Sequence, residues 1–510
     1  MARGIAWPVT ENGKVSTTKV GKTVWAAALV PLKSSSPEAA TLSAEIMGEK
    51  NWRANYIKHI QKFVELQGRA SPQEYLASSV AVLEALNNSF TFTDSEGKVV
   101  SSAVQGMATQ EGEKFVTTEV KGTGIVVAGG FAVNAPAGHE LTTLVGEDLK
   151  AQADAWGSYG CIEASAAEAL REIAGNEAPA DLVKGKVFVL LGATSALGPF
   201  NSLASLGATI ACVARPGKKL DELVERARGT PATLLLPTRP NGKTGADLVG
   251  DAPELAEWLI TLAPGKELVL GCYVYLDGEK HVRASVAMDL VVNAVCAKRK
   301  NTSVAQLVSP ATSHAASPAS VKASAGRYDS APLWHAPFRL MGAFQPAAPP
   351  AQLGTGVHVL NGLSNVQGPN YALAKTSQQW RAAVLKSEGY KVSANHAPAA
   401  RTESMVAYAT IAAALEGMQS FQPLVAFDPE TASSMMAAIL LWDLNDASSK
   451  ANPANKDAHP MDLLLENACH GGIWGCAYTM DTIGTASFLA GKMTSSYTPV
   501  DSLPPPPPKK

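Results

Sequence analysis

The stretch "GKVFVLLGATSALGPFNSLASLGATIACVARPGKKL", residues 185–220, decides the fold. An apolar run ends at Gly192, a short loop leads to Gly198, and a second apolar run ends at Arg215. Continuous apolar runs are typical of strands buried on both faces of a parallel sheet. Pro199 suits the first turn of a helix, where no backbone N–H is needed. The stretch therefore predicts a strand, a turn, a helix and a second strand.

The same alternation continues toward residue 400. Four further apolar runs follow: "ATLLLP", "ELVLGCYVYL", "SVAQLVS" and "YKVSANHAP". Helix-like segments separate the runs, at about 198–206, 218–228, 252–263, 282–299 and 370–388. Buried strands alternating with helices predict an α/β fold with a doubly wound parallel sheet of the Rossmann type, because right-handed crossovers place helices on both faces.

Composition divides the chain into three predicted parts. Residues 1–180 are predicted to form an N-terminal α/β region of unknown role. Residues 185–495 are predicted to form the Rossmann-type domain, with an Ala-, Ser- and Pro-rich insertion at about 310–356 that is too long for an ordinary loop. Residues 496–510 include five consecutive prolines and are predicted to be a disordered tail.

Three local predictions concern the N-terminal region. Residues 1–36 read as irregular, and Ser71 with Glu74 fits a capping box at the start of a helix. Residues at about 147–174 read as one continuous helix. No motif with evident chemistry occurs before residue 180.

The overall composition limits the classes of partner. The chain has 510 residues, 46% of them hydrophobic, and a formal net charge of -2, so no basic excess predicts a nucleic-acid partner. No apolar run reaches the ~18 to 20 residues of a membrane span. Six cysteines without a C-x-x-C pair indicate a reducing compartment. We expect a cytoplasmic protein, or one inside an organelle after removal of a transit peptide, and no metal site.

The loop between the first two strands has the chemistry of a diphosphate cradle. Small residues let the backbone approach an anion, and N–H groups at the start of a helix face it. The predicted cofactor-binding residues of this loop are Gly192, Thr194, Ser195, Ala196, Leu197 and Gly198. Arg215 ends the second strand, where a basic side chain can pair with the 2′-phosphate of NADP. The cofactor prediction is therefore NADP(H); the alternative is a solvated basic turn.

The segment "GPNYALAKTSQQW", residues 368–380, places a tyrosine and a lysine four residues apart. On a helix, Tyr371 and Lys375 would lie on the same face. The lysine charge would favour the phenolate form of a tyrosine whose unperturbed pKa is ~10. The pair is thus a candidate proton-transfer site, and the alternative is an ordinary amphipathic helix.

These motifs resemble, in their order, the short-chain dehydrogenase/reductase superfamily over residues about 185–445. Its glycine pattern is T-G-x-x-x-G-x-G, in which Gly192 and Gly198 match, while Ala196 and Leu191 replace a glycine and the threonine. The Y-x-x-x-K pair matches in full. The family's P-G-x-x-x-T loop near the nicotinamide is matched by Pro398 and Thr402, with one residue fewer between them.

The resemblance also implies a serine that binds the substrate oxygen. Ser309 ends the predicted fifth strand, and the insertion separates it from Tyr371. Ser364 ends a strand-like run seven residues before Tyr371. Strand order slightly favours Ser309, whereas sequence proximity favours Ser364.

The function implied by the resemblance is NADPH-dependent reduction of a carbonyl, with an acyl-thioester ketone as one substrate class. The substrate would be a small molecule or an acyl group on a carrier, and the chain would work as a homo-oligomer or within a complex. The alternative is a non-catalytic structural or regulatory subunit that kept the fold. Three departures favour it: Ala196, the replacement of the family's N-N-A-G by "GCYVYLDG", and the lack of a relay asparagine.

Overall fold

We analysed a computed structural model of the chain. It describes residues 3–9, 12–109, 112–126, 130–137, 140–348, 358–364 and 366–493. The predicted tail at 496–510 lies outside the described residues, as does part of the predicted insertion. Within the described part of the chain, no helix has the length and apolar character needed to cross a bilayer.

The strands of the described residues are short, and they are distributed along most of the chain. They are β1 Gly4–Ala6, β2 Thr91–Thr93, β3 Val99–Ser102, β4 Val116–Lys121, β5 Val133–Ala137, β6 Glu140–Leu144, β7 Lys186–Leu191, β8 Thr209–Val213, β9 Thr233–Thr238, β10 Glu267–Cys272, β11 Thr302–Val308, β12 Ser313–Ala315, β13 Val359–Asn361 and β14 Lys391–His396.

Helices on both faces of the seven-stranded sheet are among the eighteen α-helices of the described residues. They are α1 Thr17–Ala28, α2 Pro37–Gly48, α3 Trp52–Arg69, α4 Pro72–Asn88, α5 Ala103–Thr109, α6 Gly146–Tyr159, α7 Ala164–Ala174, α8 Phe200–Ser205, α9 Lys218–Arg228, α10 Ala252–Thr261, α11 Glu279–Lys298, α12 Pro318–Asp329, α13 Ala336–Leu340, α14 Pro369–Ser387, α15 Glu403–Val406, α16 Ala409–Gly417, α17 Pro429–Asn445 and α18 Met480–Met493.

The fold is mixed α/β, built on a seven-stranded and mostly parallel central sheet. The strand order is β14-β11-β10-β7-β8-β9-β4. Six of these strands are parallel to their neighbours, and β4 pairs antiparallel with β9 at one edge. All six predicted parallel strands are confirmed. Because the strands are parallel, their carboxyl ends lie at the same edge of the sheet. The residues that follow each strand therefore lie at that edge.

Successive side chains of β7 pack into different hydrophobic cores, as the twofold period of a strand requires. Val187, Val189 and Leu191 join a core with α10, α11 and α14. Phe188 and Leu190 join a second core with α7, α8 and α17. Burial on both faces explains why the strand is a continuous apolar run rather than an alternating one.

The N-terminal helices form a layer over α14. Trp380 of α14 packs edge-on against Trp25 of α1 and Phe63 of α3, with ring centroids 5.2 and 5.9 Å apart. Its indole N–H donates to Gln67 of α3 at 3.1 Å, and Gln67 in turn donates to Ser78 of α4 at 2.8 Å. Helix α14 thus lies between the sheet and a helical layer from the N-terminal region, while β4 adds a strand to the sheet. The domain boundary near residue 180 stays a prediction.

A buried ion pair joins α14 to α11. The guanidinium of Arg381 donates to both carboxylate oxygens of Asp289, at 2.6 and 3.0 Å. Asn87 of α4 donates to the same carboxylate at 2.7 Å. Both charged side chains are less than a tenth exposed, so the Arg381 guanidinium depends on the Asp289 carboxylate for its polar partner.

Several local predictions are corrected. Residues 1–36 are not irregular throughout, because α1 forms there and buries Val24, Trp25 and Ala28. The helix predicted at 147–174 is two helices, since Gly160 ends α6 in the left-handed conformation with a φ of 86°. The capping box of Ser71 and Glu74 is confirmed.

We expect Asp289→Ala to lower the free energy of unfolding by about 3–5 kcal/mol, because it leaves the Arg381 guanidinium buried without its carboxylate. The matched control is Asp154→Ala, which removes an exposed ion pair with Arg171 and should cost about 0–1 kcal/mol. Urea unfolding followed by circular dichroism measures both. Equal small losses would show that the buried pair does not hold α14.

Candidate active site

Tyr371 and Ser309 meet at the carboxyl edge of the sheet. Ser309 directly follows β11, and Tyr371 lies in the first turn of α14. Their hydroxyl oxygens are 2.7 Å apart, which is hydrogen-bond distance. The backbone N–H of Ala311 donates to the same serine oxygen at 3.2 Å. The serine hydroxyl is therefore oriented by the turn after β11, and 62 residues of chain separate it from its tyrosine partner.

Ser364 has other partners. Its carbonyl accepts from the Tyr56 hydroxyl of α3 at 2.8 Å, and its own hydroxyl lies 3.5 Å from the Gln367 side-chain oxygen. No hydrogen bond among the described residues joins Ser364 to Tyr371. Of the two candidate serines, the structure brings only Ser309 to the tyrosine hydroxyl.

Lys375 lies one helical turn after Tyr371 and is buried. Its ammonium donates to the Leu307 carbonyl of β11 at 3.1 Å and to the Gln378 side chain at 3.2 Å. Burial lowers the pKa of Lys375 to about 8, since a charged group in an apolar surrounding loses hydration. At neutral pH the side chain is still mainly charged, and it has one N–H more than these two acceptors use.

The ring of Tyr371 packs against two residues that the sequence did not suggest. His281 of α11 stacks on it with a centroid distance of 6.0 Å, and Tyr275 meets it edge-on at 6.3 Å. His281 is fully buried, its Nδ1 accepts from the Leu276 N–H at 3.4 Å, and its Nε2 has no hydrogen-bond partner among the described residues. Both residues come from the segment after β10, so their place at the carboxyl edge of the sheet was an available signal.

The pKa of Tyr371 is shifted in the opposite direction to the one that the sequence predicts. Burial raises it above the ordinary value, the nearby Tyr275 adds to the rise, and the hydrogen bond from Ser309 opposes it. Burial also lowers the pKa of His281 well below its usual range, with Lys375 as the second cause. At neutral pH the tyrosine is a protonated hydroxyl beside a neutral imidazole. The predicted shift toward phenolate by Lys375 is therefore not seen.

The glycine loop follows β7 at the same edge. Gly192 has a φ of +98°, and a Cβ there would lie 2.7 Å from the backbone nitrogen of Val274, so the fold itself requires glycine. The N–H groups of Ser195 and Gly198 close turns inside the loop. Those of Thr194, Ala196 and Leu197 donate to no acceptor in the described structure.

The helix after this loop is shorter than predicted. Helix α8 spans six residues, Phe200–Ser205, rather than 198–206, and Pro199 precedes it. The Ser433 hydroxyl of α17 donates to the Gly198 carbonyl at 2.7 Å and ties the end of the loop to that helix.

Three other predicted residues also lie at this edge. Arg215 is exposed two residues after β8, and no carboxylate of the described residues forms an ion pair with it. Pro398 is buried after β14, and the Cβ position of Gly471 lies 3.5 Å from its side chain. Thr402 precedes α15 as its N-cap. The predicted residues that follow β7, β8, β11 and β14 thus lie along one edge, whereas the Ser364 carbonyl contacts α3 and its hydroxyl contacts Gln367.

Comparisons with protein-family models, with curated proteins and with solved structures give no match. Among the described residues, no group of three His, Cys, Asp or Glu side chains is arranged to hold a metal ion.

The lowered pKa of Lys375 predicts a stability change at alkaline pH. In the folded chain the lysine loses its proton near pH 8, whereas the unfolded chain keeps it to about pH 10.5. Because the unfolded state then binds more protons, the free energy of unfolding should rise with pH across this window, by at most about 3 kcal/mol.

Lys375→Met should lack this contribution. The free energy of unfolding of both proteins is measured by urea unfolding from pH 7.5 to 10.5. The difference between the two free energies isolates the contribution of Lys375 from that of other groups. Lys62→Met, at an exposed ion pair, is the control. A pH-independent difference between Lys375→Met and the parent chain would contradict the lowered pKa.

Proposed function

We propose that the chain is an NADP(H)-dependent oxidoreductase of the short-chain dehydrogenase/reductase type that reduces a carbonyl, with an acyl-thioester ketone as one substrate class. The observation that carries this proposal is the 2.7 Å contact between the Ser309 and Tyr371 hydroxyls, with Lys375 one turn further along the same helix. Two hydroxyls at this spacing can share one substrate oxygen, as general acid catalysis on a carbonyl requires.

The strand order supports the proposed cofactor class. Numbered along the chain, the six parallel strands lie in the order 3-2-1-4-5-6. This is the order of a doubly wound dinucleotide-binding sheet, in which the cofactor crosses the carboxyl edge where the strand order reverses. Here the reversal falls between β7 and β10, next to the glycine loop.

The residues at that edge are suited to a nicotinamide dinucleotide phosphate. The free N–H groups of Thr194, Ala196 and Leu197 can donate to the diphosphate. The exposed guanidinium of Arg215 can pair with a 2′-phosphate, and the remaining N–H of Lys375 can donate to a ribose hydroxyl. When bound, the cofactor supplies the hydride.

The protein residues would supply the proton and the orientation of the substrate. Tyr371 is protonated at neutral pH, so it can donate to the carbonyl oxygen of a substrate as that oxygen gains negative charge. Ser309 can donate to the same oxygen, because the Ala311 N–H already donates to Ser309 and leaves the serine proton available. His281 and Tyr275 hold the tyrosine ring in place.

A second candidate is a non-catalytic subunit with the same fold. Two observations favour it. Gly192 is required by the close approach of Val274, so the glycine does not by itself indicate a cofactor. The short helix α8 also offers little helix dipole to a diphosphate. Binding and turnover experiments separate the two candidates.

Tyr371→Phe should keep NADPH binding and lower the rate of NADPH-dependent reduction at least ~10²-fold, because the general acid is lost. The assay is NADPH oxidation with a panel of 3-ketoacyl thioesters and small ketones, and Tyr408→Phe, at an exposed tyrosine, is the control. Ser309→Ala should cause a large loss of rate, whereas Ser364→Ala should not. If NADPH binds but the unaltered chain reduces nothing in the panel, the non-catalytic candidate is favoured.

Arg215→Asp should remove a preference for NADPH over NADH. A charge-assisted contact with the 2′-phosphate is worth about 1.5–3 kcal/mol, or about 10- to 100-fold in affinity. Thermal stabilisation by each cofactor measures the preference, and Arg228→Asp, on the exposed side of α9, is the control. Equal weak binding of NADPH and NADH by the unaltered chain would contradict the role of Arg215.

A further inference from the structure

Strand β4 forms one edge of the seven-stranded sheet, and it pairs with β9 alone. At the opposite edge, the backbone N–H of Val392 in β14 donates to the Ala451 carbonyl at 2.9 Å, so a loop occupies part of that edge. Among the described residues, no backbone group forms a comparable hydrogen bond on the outer side of β4. An open edge is a surface on which another strand can pair.

The register with β9 identifies the backbone groups of β4 that face outward. The Gly122 N–H donates to the Ala232 carbonyl at 2.8 Å, on the β9 side. Because hydrogen bonding alternates along an antiparallel strand, the even-numbered residues of β4 are bonded to β9 and the odd-numbered residues face outward. Pro237 agrees with this assignment, since it lies opposite Thr117 and has no N–H to donate. The outward N–H and C=O groups belong to Thr117, Glu119 and Lys121.

The side chains of this edge are exposed and carry opposite charges. Glu119 is 48% exposed and Lys121 is 75% exposed, and the Lys121 ammonium lies 3.1 Å from the Glu119 carboxylate. Two residues apart on a strand, both side chains lie on the same face of the sheet. Charged side chains commonly prevent an edge from pairing with another chain. Here the two charges are opposite in sign, so an antiparallel copy of the same edge can offer each charge its complement.

Three registers would pair most of β4 with a second copy of itself. A twofold axis makes the two strands antiparallel, and outward-facing residues must pair with each other, so the axis passes through a residue. An axis at Glu119 places two carboxylates directly opposite each other, which is destabilising. An axis at Thr118 brings no opposite charges together. An axis at Val120 places Glu119 opposite Lys121 of the second copy, and symmetry repeats this ion pair.

Exposed apolar side chains lie on both sides of Val120. Val116 is 56% exposed and Ile125 is 83% exposed. With the axis at Val120, Val116 lies opposite Gly124 of the second copy, the residue before Ile125. The same register therefore brings exposed apolar residues of the two copies near each other and removes apolar surface from water.

We propose that β4 is a self-association surface, and that two copies of the chain join their sheets edge to edge about a twofold axis at Val120. The joined sheet would contain seven strands from each copy. The contact is small, so the dimer should be reversible, with a dissociation constant of roughly 1–100 µM. This inference does not depend on the proposed reaction.

Sedimentation velocity of the full chain at increasing concentration measures the dimer. Lys121→Glu should raise the dissociation constant at least ~10-fold, because like charges then lie opposite each other twice. Glu119→Lys should have the same effect. The double variant with both substitutions should restore the dimer, since it re-forms the ion pairs in reverse order. Lys62→Glu, which reverses an exposed charge on α3, is the control and should leave the dimer unchanged.

Cysteine variants test the register. All six native cysteines are buried, so a cysteine introduced on β4 supplies the reactive thiol. At the axis, Val120→Cys meets its own copy in a non-hydrogen-bonded pair with Cα atoms about 4.5 Å apart, which is within disulfide range. Thr118→Cys is roughly 14 Å from its counterpart, which is too far. With oxidised glutathione, Val120→Cys should form a covalent dimer on a non-reducing gel and Thr118→Cys should not.

Three outcomes would overturn the proposal. The first is an unaltered chain that stays monomeric over the whole concentration range. The second is a dimer that neither single charge reversal weakens, which would place the interface elsewhere. The third is cross-linking through Thr118→Cys in place of Val120→Cys, which would contradict the axis at Val120. Circular dichroism of each variant checks that the substitution leaves the fold intact.

Discussion

The structure depends on the burial of α14 on nearly every side. A helix placed between a sheet and a second helical layer has no solvent-facing side on which to place polar groups, so each of its polar side chains needs a partner in the protein. Arg381 has Asp289, Trp380 has Gln67, and Lys375 has the Leu307 carbonyl. These contacts attach the helix to α11, α3 and β11, and they fix the position of its first turn.

The geometry and the acid–base properties of the candidate site have the same physical origin. The burial that fixes Tyr371 against Ser309 also raises the tyrosine pKa and lowers that of Lys375. Both shifts favour neutral forms, as desolvation requires. A protonated tyrosine is suited to giving a proton to a substrate oxygen. In the reaction that we propose, the reverse oxidation would need the proton to leave against this preference.

The sequence predicted those parts of the fold that local patterns encode. Continuous apolar runs located the six parallel strands, and the end of β11 located Ser309. Helix α1 was missed because "TTKVGKTVWAAA" contains glycine and β-branched residues, and its stability comes from burying Trp25 against α14. The sequence does contain a signal for the break at Gly160, because glycine commonly ends a helix. The pairing of β4 with β9 joins distant segments, so no local pattern could reveal it. The position of His281 after β10 indicates the carboxyl edge of the sheet, but not its stacking on Tyr371.

The helical layer over α14 also has a consequence for folding while the chain is being synthesised. Gln67 and Trp380 are 313 residues apart in the chain, so at about 5–20 residues per second the N-terminal helices wait roughly 15–60 s for the helix that covers them. During that time the rings of Trp25 and Phe63 can contact each other but lack their contact with Trp380. The nascent chain therefore has a long interval in which an apolar surface is exposed, and chaperones that bind such surfaces have time to act before the last third of the chain emerges.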